Sequence, residues 1–138
     1  MNKVFFDLEW NTGFLDGNSF DEIIEIGAVK TDEEYRQIDG FRRLIRPVIY
    51  RKMNPYIRKI LAITMKDLQG EEPLAAVAKV FFDWCGDCDT LIAWSGNDFG
   101  VLEKHLAHIG MKIPEQLVRY DVQMAYAYRT ENSIRNYA

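Results

Sequence analysis

The sequence predicts an α/β domain, a mixed β-sheet with helices packed against it. Two observations carry this. Three β-rich runs follow one another through turn-forming residues before Pro47, and the later β-rich runs are separated by segments with helical apolar spacing. With 138 residues, 48% apolar and 13% aromatic, the chain can bury a core of its own and reads as a single domain over residues 1–138. No apolar run approaches the length of a membrane span, and the charges of Lys3 and Asp7 interrupt the stretch a signal peptide needs, so a cytoplasmic location is expected. A net charge of −4 argues against a protein that holds nucleic acid by bulk charge; any such contact has to be local.

The elements follow in order. Val4-Phe5-Phe6-Asp7-Leu8-Glu9-Trp10 is a first strand, and residues 11–18, rich in Asn, Gly and Asp, read as a loop. Residues 23–29 form a buried strand and residues 40–47 a third, together a meander. Asn54 caps a short helix opened by Pro55, expected to carry Tyr56, Ile57, Ile60 and Leu61 inward, and Ile63-Thr64 break into a second turn before Gly70. Pro73 opens a helix whose Leu74, Val77, Val80, Phe81 and Trp84 recur at helical spacing until it stops near Gly86. Residues 90–94 are β-rich. After Ser95-Gly96-Asn97 a helix begins at Asp98 with Phe99, Leu102, Leu106 and Ile109 along one stripe. Val118-Arg119-Tyr120 is a last strand, and Asp121 caps a helix carrying Met124, Ala125 and Tyr128. The order is β-β-β-α-α-β-α-β-α.

Asp7 and Glu9 are the residues with chemistry in the first strand. A strand sends residues i and i+2 to one face, so both carboxylates point one way while Phe6 and Leu8 point the other. Two like charges held this close repel, and a divalent cation with oxygen ligands would relieve them; a strand end reaching solvent is the plainer alternative. Cys85 and Cys88 follow a helix instead of opening one, which does not suit redox chemistry, and His105 and His108 lack the spacing of a zinc finger, so both cysteines are expected to be reduced and structural. Arg42, Arg43, Arg46, Arg51, Lys52, Arg58 and Lys59 concentrate positive charge, either along a single-stranded nucleic acid or as a solvated sheet edge and loop. Glu25 is either a strand carboxylate paired within the fold or a support for a metal site.

Phe6-Asp7-Leu8-Glu9-Trp10, the run from Glu22 to Val29, Ile63-Thr64, and Trp94-Ser95-Gly96-Asn97-Asp98-Phe99-Gly100-Val101-Leu102 resemble, in that order and spacing, the DEDD (DnaQ-like) 3′-to-5′ exonuclease superfamily. Within it the resemblance is closest to bacterial exonucleases similar to the sporulation inhibitor KapD and to histone-mRNA exonucleases. It implies an RNase H-like fold, with three antiparallel strands first, then strands joined by helices, and flanking helices. It further implies a metal-dependent hydrolase acting at the 3′ end of single-stranded RNA or DNA. Asp7 would bridge two Mg²⁺ or Mn²⁺ ions, Glu9 would hold the ion that activates the attacking water, and Asp98 would complete the second ion's shell. Two cations about 4 Å apart stabilise the entering and leaving oxygens of an in-line displacement. Trp10, Asn11 and Thr12 resemble the segment that grips the terminal nucleotide; Trp10 either stacks on a base or fills the end of the sheet.

The chain departs from the superfamily's pattern in its last part, where a His or Tyr followed by a fourth Asp is expected and nothing fits. Asp121 resembles the family's structural Asp, and His105 lies roughly 10 Å along the helix from Asp98, so neither histidine of that helix is read as the base. The expectation is therefore a C-terminally truncated fragment, lacking the general base and the fourth acidic ligand and largely inactive. The alternatives are a catalytically inactive nucleic-acid-binding or regulatory module with the same fold, and a metal-binding protein that is not a nuclease.

Overall fold

The computed structural model of the protein describes residues 1–94 and 96–123, and its five-stranded sheet grows out from one central strand. That strand, β1 (Lys3–Leu15), buries Val4, Phe6 and Leu8 on one face and turns Phe5, Asp7 and Glu9 to the other. β2 (Asn18–Thr31) and β3 (Gln37–Leu44) extend the sheet antiparallel on one side. β4 (Thr90–Ala93) and β5 (Val118–Asp121) extend it in parallel on the other, giving the order β3-β2-β1-β4-β5. This is the mixed sheet that the sequence predicts. Among the described residues no helix is long and apolar enough to cross a membrane.

Residues 11–18 are not a loop. β1 and β2 pair continuously from Lys3↔Thr31 to Leu15↔Asn18, leaving only Asp16 and Gly17 as the turn, at φ 53° and 82°. Positive φ at both central residues is the mirror-image turn that matches strand twist, and Asp-Gly is among its preferred pairs. One irregularity interrupts the hairpin. Glu9 faces Glu25 but Trp10 faces Ile23, so Ile24 is an extra residue, a β-bulge.

The bulge reverses the phase of β2. Ile23 sits in the main core before it and Ile26 and Ala28 after it, while Ile24, equally buried, stays outside that cluster. α3 (Leu74–Cys85) and α4 (Gly96–His108) cover the core face through Leu74, Val77, Ala78, Phe81 and Cys85, and through Phe99, Val101, Leu102 and Leu106. Gly86 ends α3 at φ 60°, its N–H donating to the carbonyls of Phe82 and Asp83.

Three expectations about helices need correction. α1 (Pro55–Ile60) has the Asn54 cap, whose side chain accepts from the Tyr56 N–H, but it buries none of its residues: Tyr56 is 70% and Ile60 61% exposed. A helix this short is held by its polar cap, not by an apolar face. α2 (Met65–Leu68) is closed by a reciprocal Thr64–Asp67 capping box. Val80 lies off the buried stripe of α3 and is exposed. α4 starts at Gly96, two residues early, so Asp98 falls within its first turn. The expected helix with Met124, Ala125 and Tyr128 lies outside the described residues.

Candidate metal centre and active site

Asp7 and Glu9 leave the outer face of β1 together, as their spacing requires. Asp7 stands opposite Gly27, so no side chain crosses it from β2, and Glu9 stands opposite Glu25. Asp98 arrives from the core side on the first turn of α4, buried at 8% exposure. Burial first, then the charges of Asp7, Glu9 and Asp121, together push its carboxyl up from the ordinary 3.8 to about 6. Burial, then Asp7, then Glu25 likewise raise Glu9. The structure therefore brings Asp7, Glu9 and Asp98 into one electrostatic field from elements far apart in the chain.

The carboxylates share that field without forming a closed cage. Among the described residues no three His, Cys, Asp or Glu side chains are gathered tightly enough to hold a metal ion as they stand. The charges of Asp7 and Glu9 nevertheless act on Asp98, so the three carboxyls lie within electrostatic reach of one another. The donor set, carboxylate oxygens only, suits a hard divalent cation that completes its shell with water, so the residues fit the ions the sequence implies. Asp121 closes the base of the site. A Cβ on Gly96 would lie 2.7 Å from Asp121 Oδ2, and the glycine thus lets β5 approach the first turn of α4.

The remaining residues named from the sequence have other partners. Trp10 packs partly on the core and lines an open groove of about 430 Å³ with Gly96, Gly100 and Lys104. Asn11 is 1% exposed; its amide donates to the Lys52 carbonyl at 3.0 Å and accepts the Asn54 N–H at 2.8 Å. Thr12 donates to Asp21 at 2.8 Å. Glu25 pairs with Arg42 across β2 and β3 at 2.7 Å, the reading in which it is paired within the fold, although that buried oxygen accepts no well-formed hydrogen bond among the described residues. The basic residues are dispersed: Arg42 is held by Glu25, Arg46 donates to the Glu71 carbonyl, and Arg58 and Lys59 project from α1. Cys85 and Cys88 are free, buried thiols, and burial pushes Cys85 up to about 12.

Sequence reasoning missed Glu22. Its buried carboxylate accepts the N–H groups of Val48 and Ile49 at 2.9 and 2.8 Å on one oxygen and of Tyr50 at 3.0 Å on the other. It therefore anchors the segment that leads to Lys52 and Asn54, against which Asn11 is bonded. The signal was a glutamate beginning the same apolar run that contains Glu25, but the bulge between them hides the face each one takes.

The RNase_T exonuclease family model matches residues 4–136. No curated protein matches the chain. Among solved structures, the nuclease domain of 3'hExo, a DEDDh family member bound to rAMP, aligns with a TM-score of 0.75 at 19% identity, covering 92% of this chain and 68% of that one. Cell-death related nuclease 4 (CRN-4) aligns at 0.70 and 15% identity over 82% of this chain and 42% of its own. Exonuclease I of E. coli in complex with an oligonucleotide aligns at 0.69 and 17% identity over 88% of this chain and 28% of its own. This chain thus spans less than half the length of the latter two. At these identities the likeness is one of fold, the RNase H-like mixed sheet with helices. The chain belongs to the RNase_T exonuclease family.

Proposed function

We propose that this domain is a 3′-to-5′ exonuclease domain acting on single-stranded RNA or DNA with two Mg²⁺ or Mn²⁺ ions at Asp7, Glu9 and Asp98. The observation that supports the reading is that Asp7 and Glu9 leave one face of β1 and that their charges, after burial, help raise Asp98 to about 6. Such an arrangement is unfavourable by itself and becomes favourable around a cation. The superfamily uses divalent ions, which when bound supply charge stabilisation at a phosphorus centre.

The chain's own residues have distinct tasks. Asp7, Glu9 and Asp98 would hold the ions. Asn11 and Thr12, their side chains bonded to Lys52, Asn54 and Asp21, would fix the path of the strand beside the terminal nucleotide. Trp10 would offer one ring edge to the groove that receives a base. The superfamily's His or Tyr followed by a fourth Asp finds no match in residues 109–138, so these residues are expected to hydrolyse substrate slowly. The two unpaired thiols support a reducing, cytoplasmic setting.

The test is binding first and turnover second. A single-stranded oligonucleotide with a free 3′ hydroxyl should bind more tightly with Mn²⁺ than with EDTA, and a 3′ phosphate should abolish that gain. Asp7→Ala should abolish the Mn²⁺ effect as well as Mn²⁺ binding by calorimetry. Mn²⁺ binding with no affinity for any oligonucleotide would instead mark a metal protein that is not a nuclease. Rapid Mg²⁺-dependent release of mononucleotides would show that a substitute base lies within these residues.

A further inference from the structure

At the β-bulge the Ile24 carbonyl continues the β2–β3 pairing, while the Ile23 N–H, in a fully buried place, takes a side-chain partner. The Ile24 carbonyl accepts the N–H of Ile45 at 2.8 Å. The Ile23 N–H donates to Nδ1 of His105 at 3.1 Å. His105 is 2% exposed, meets Phe20 edge-on with ring centroids 5.6 Å apart, and its Nε2 has no hydrogen-bond partner among the described residues. A leucine of similar size would fill the same space without burying an unpaired donor, so the bond accepted at Nδ1 is what the imidazole adds over an apolar filler.

The position of His105 on its helix gives that bond its meaning. Asp98 and His105 are seven residues apart, two turns of α4, and therefore lie on one stripe of the helix about 10 Å apart. They are the two buried polar side chains of α4 among the described residues. One faces Asp7 and Glu9; the other grips the bulge that directly follows the Glu9↔Glu25 pair. Apolar packing seats the helix by shape, and a directional hydrogen bond to one backbone N–H adds a fixed point that sets its height.

We propose that His105 is a positioning residue: by accepting the Ile23 N–H it locks α4 to the bulge and thereby sets the distance of Asp98 from Asp7 and Glu9. Burial, followed by the neighbouring charge of His108, pushes its imidazole down to about 4, which keeps Nδ1 an acceptor at neutral pH. The inference rests on the reading of Asp7, Glu9 and Asp98 as cation ligands.

The experiment compares His105→Leu and His105→Asn with wild type. Hydrogen exchange at the Ile23 amide reads the bond itself without any metal, and calorimetric titration with Mn²⁺ reads the site. His105→Leu should speed Ile23 exchange at least tenfold and weaken Mn²⁺ binding about tenfold with the fold retained. His105→Asn, whose amide oxygen occupies the place of Nδ1, should restore both. If His105→Leu does not fold, the pair His105→Asn and His105→Gln decides, since glutamine sets its amide one bond too far; weaker Mn²⁺ binding in the glutamine variant alone supports the proposal, and equal binding overturns it. Faster Ile23 exchange with unchanged Mn²⁺ affinity overturns it too, leaving His105 a purely structural residue. Wild type that fails to bind Mn²⁺ brings down the metal reading and this inference together, an outcome distinct from the previous one.

Discussion

Asp98→Asn keeps the shape of the side chain and removes its charge, which isolates the electrostatic strain at the centre of the site. In metal-free protein near neutral pH, wild type holds an ionised carboxyl that burial and three acidic neighbours have moved from 3.8 to about 6. That displacement corresponds to about 3 kcal/mol, which solvent at the rim of the site reduces to about 2 kcal/mol. Because the folded value lies above the unfolded one, the folded state binds the proton more tightly; the stabilising contribution is complete below pH 3.8 and is lost as pH rises through about 6.

His105 acts in the opposite sense. Its value is lowered to about 4, so its contribution is present above 6.5 and is lost as pH falls toward 4, but it is common to both proteins and cancels in their difference. Urea unfolding in EDTA should therefore find Asp98→Asn more stable than wild type by about 2 kcal/mol around pH 7.5, with the advantage vanishing toward pH 4. Saturating Mn²⁺ should reverse the ranking, because only wild type gains the full binding energy of the ion. An asparagine variant no more stable than wild type at the higher pH, or an advantage that does not depend on pH, would refute the claim that these carboxyls share one field.

Glu22→Gln replaces an acceptor of three backbone N–H groups by a side chain that presents its own donor to them. It should lower stability by about 2 kcal/mol and expose Arg51 and Lys52 to trypsin sooner; unchanged melting and cleavage would contradict the anchoring role. Cys85 and Cys88 should react with iodoacetamide only as fast as the protein unfolds, given their burial and the upward shift of both thiols, and labelling of folded protein would contradict their core placement. Arg58→Gln with Lys59→Gln should reduce the salt dependence of single-strand binding by about 0.7 per charge in the log–log slope if α1 lies along the substrate backbone. An unchanged slope would assign both charges to a solvated surface.

What was legible in the sequence was what local periodicity controls. Val4, Phe6 and Leu8 alternate with Phe5, Asp7 and Glu9 over a straight stretch of strand, so the face of the two carboxylates followed from spacing alone. Thr64 and Asp67, Asn54 with Pro55, and Gly86 announce their caps through groups at most three residues apart. Reading failed where one residue changed the phase. The bulge at Ile24 turns Glu22 to the face opposite the one strict alternation from Glu25 assigns, and nothing in Glu22-Ile23-Ile24-Glu25 distinguishes a bulged strand from a regular one. Asn11 reads as a loop residue in the sequence because its partners, Lys52 and Asn54, come from a segment more than forty residues away with no periodicity of its own. The hairpin is longer than the sequence suggests for a related reason: turn formers run across residues 11–18, but only the Asp16-Gly17 pair has the backbone a two-residue turn requires.

The most direct test of the account is the position of a bound ion. Crystals grown with Mn²⁺, measured at a wavelength where manganese scatters anomalously, should show an anomalous peak at about 2.1 Å from carboxylate oxygens of Asp7 and Glu9, with Asp98 in its direct or water-bridged shell. A manganese peak elsewhere on the molecule, with the space between these three side chains empty at saturating ion, would contradict it.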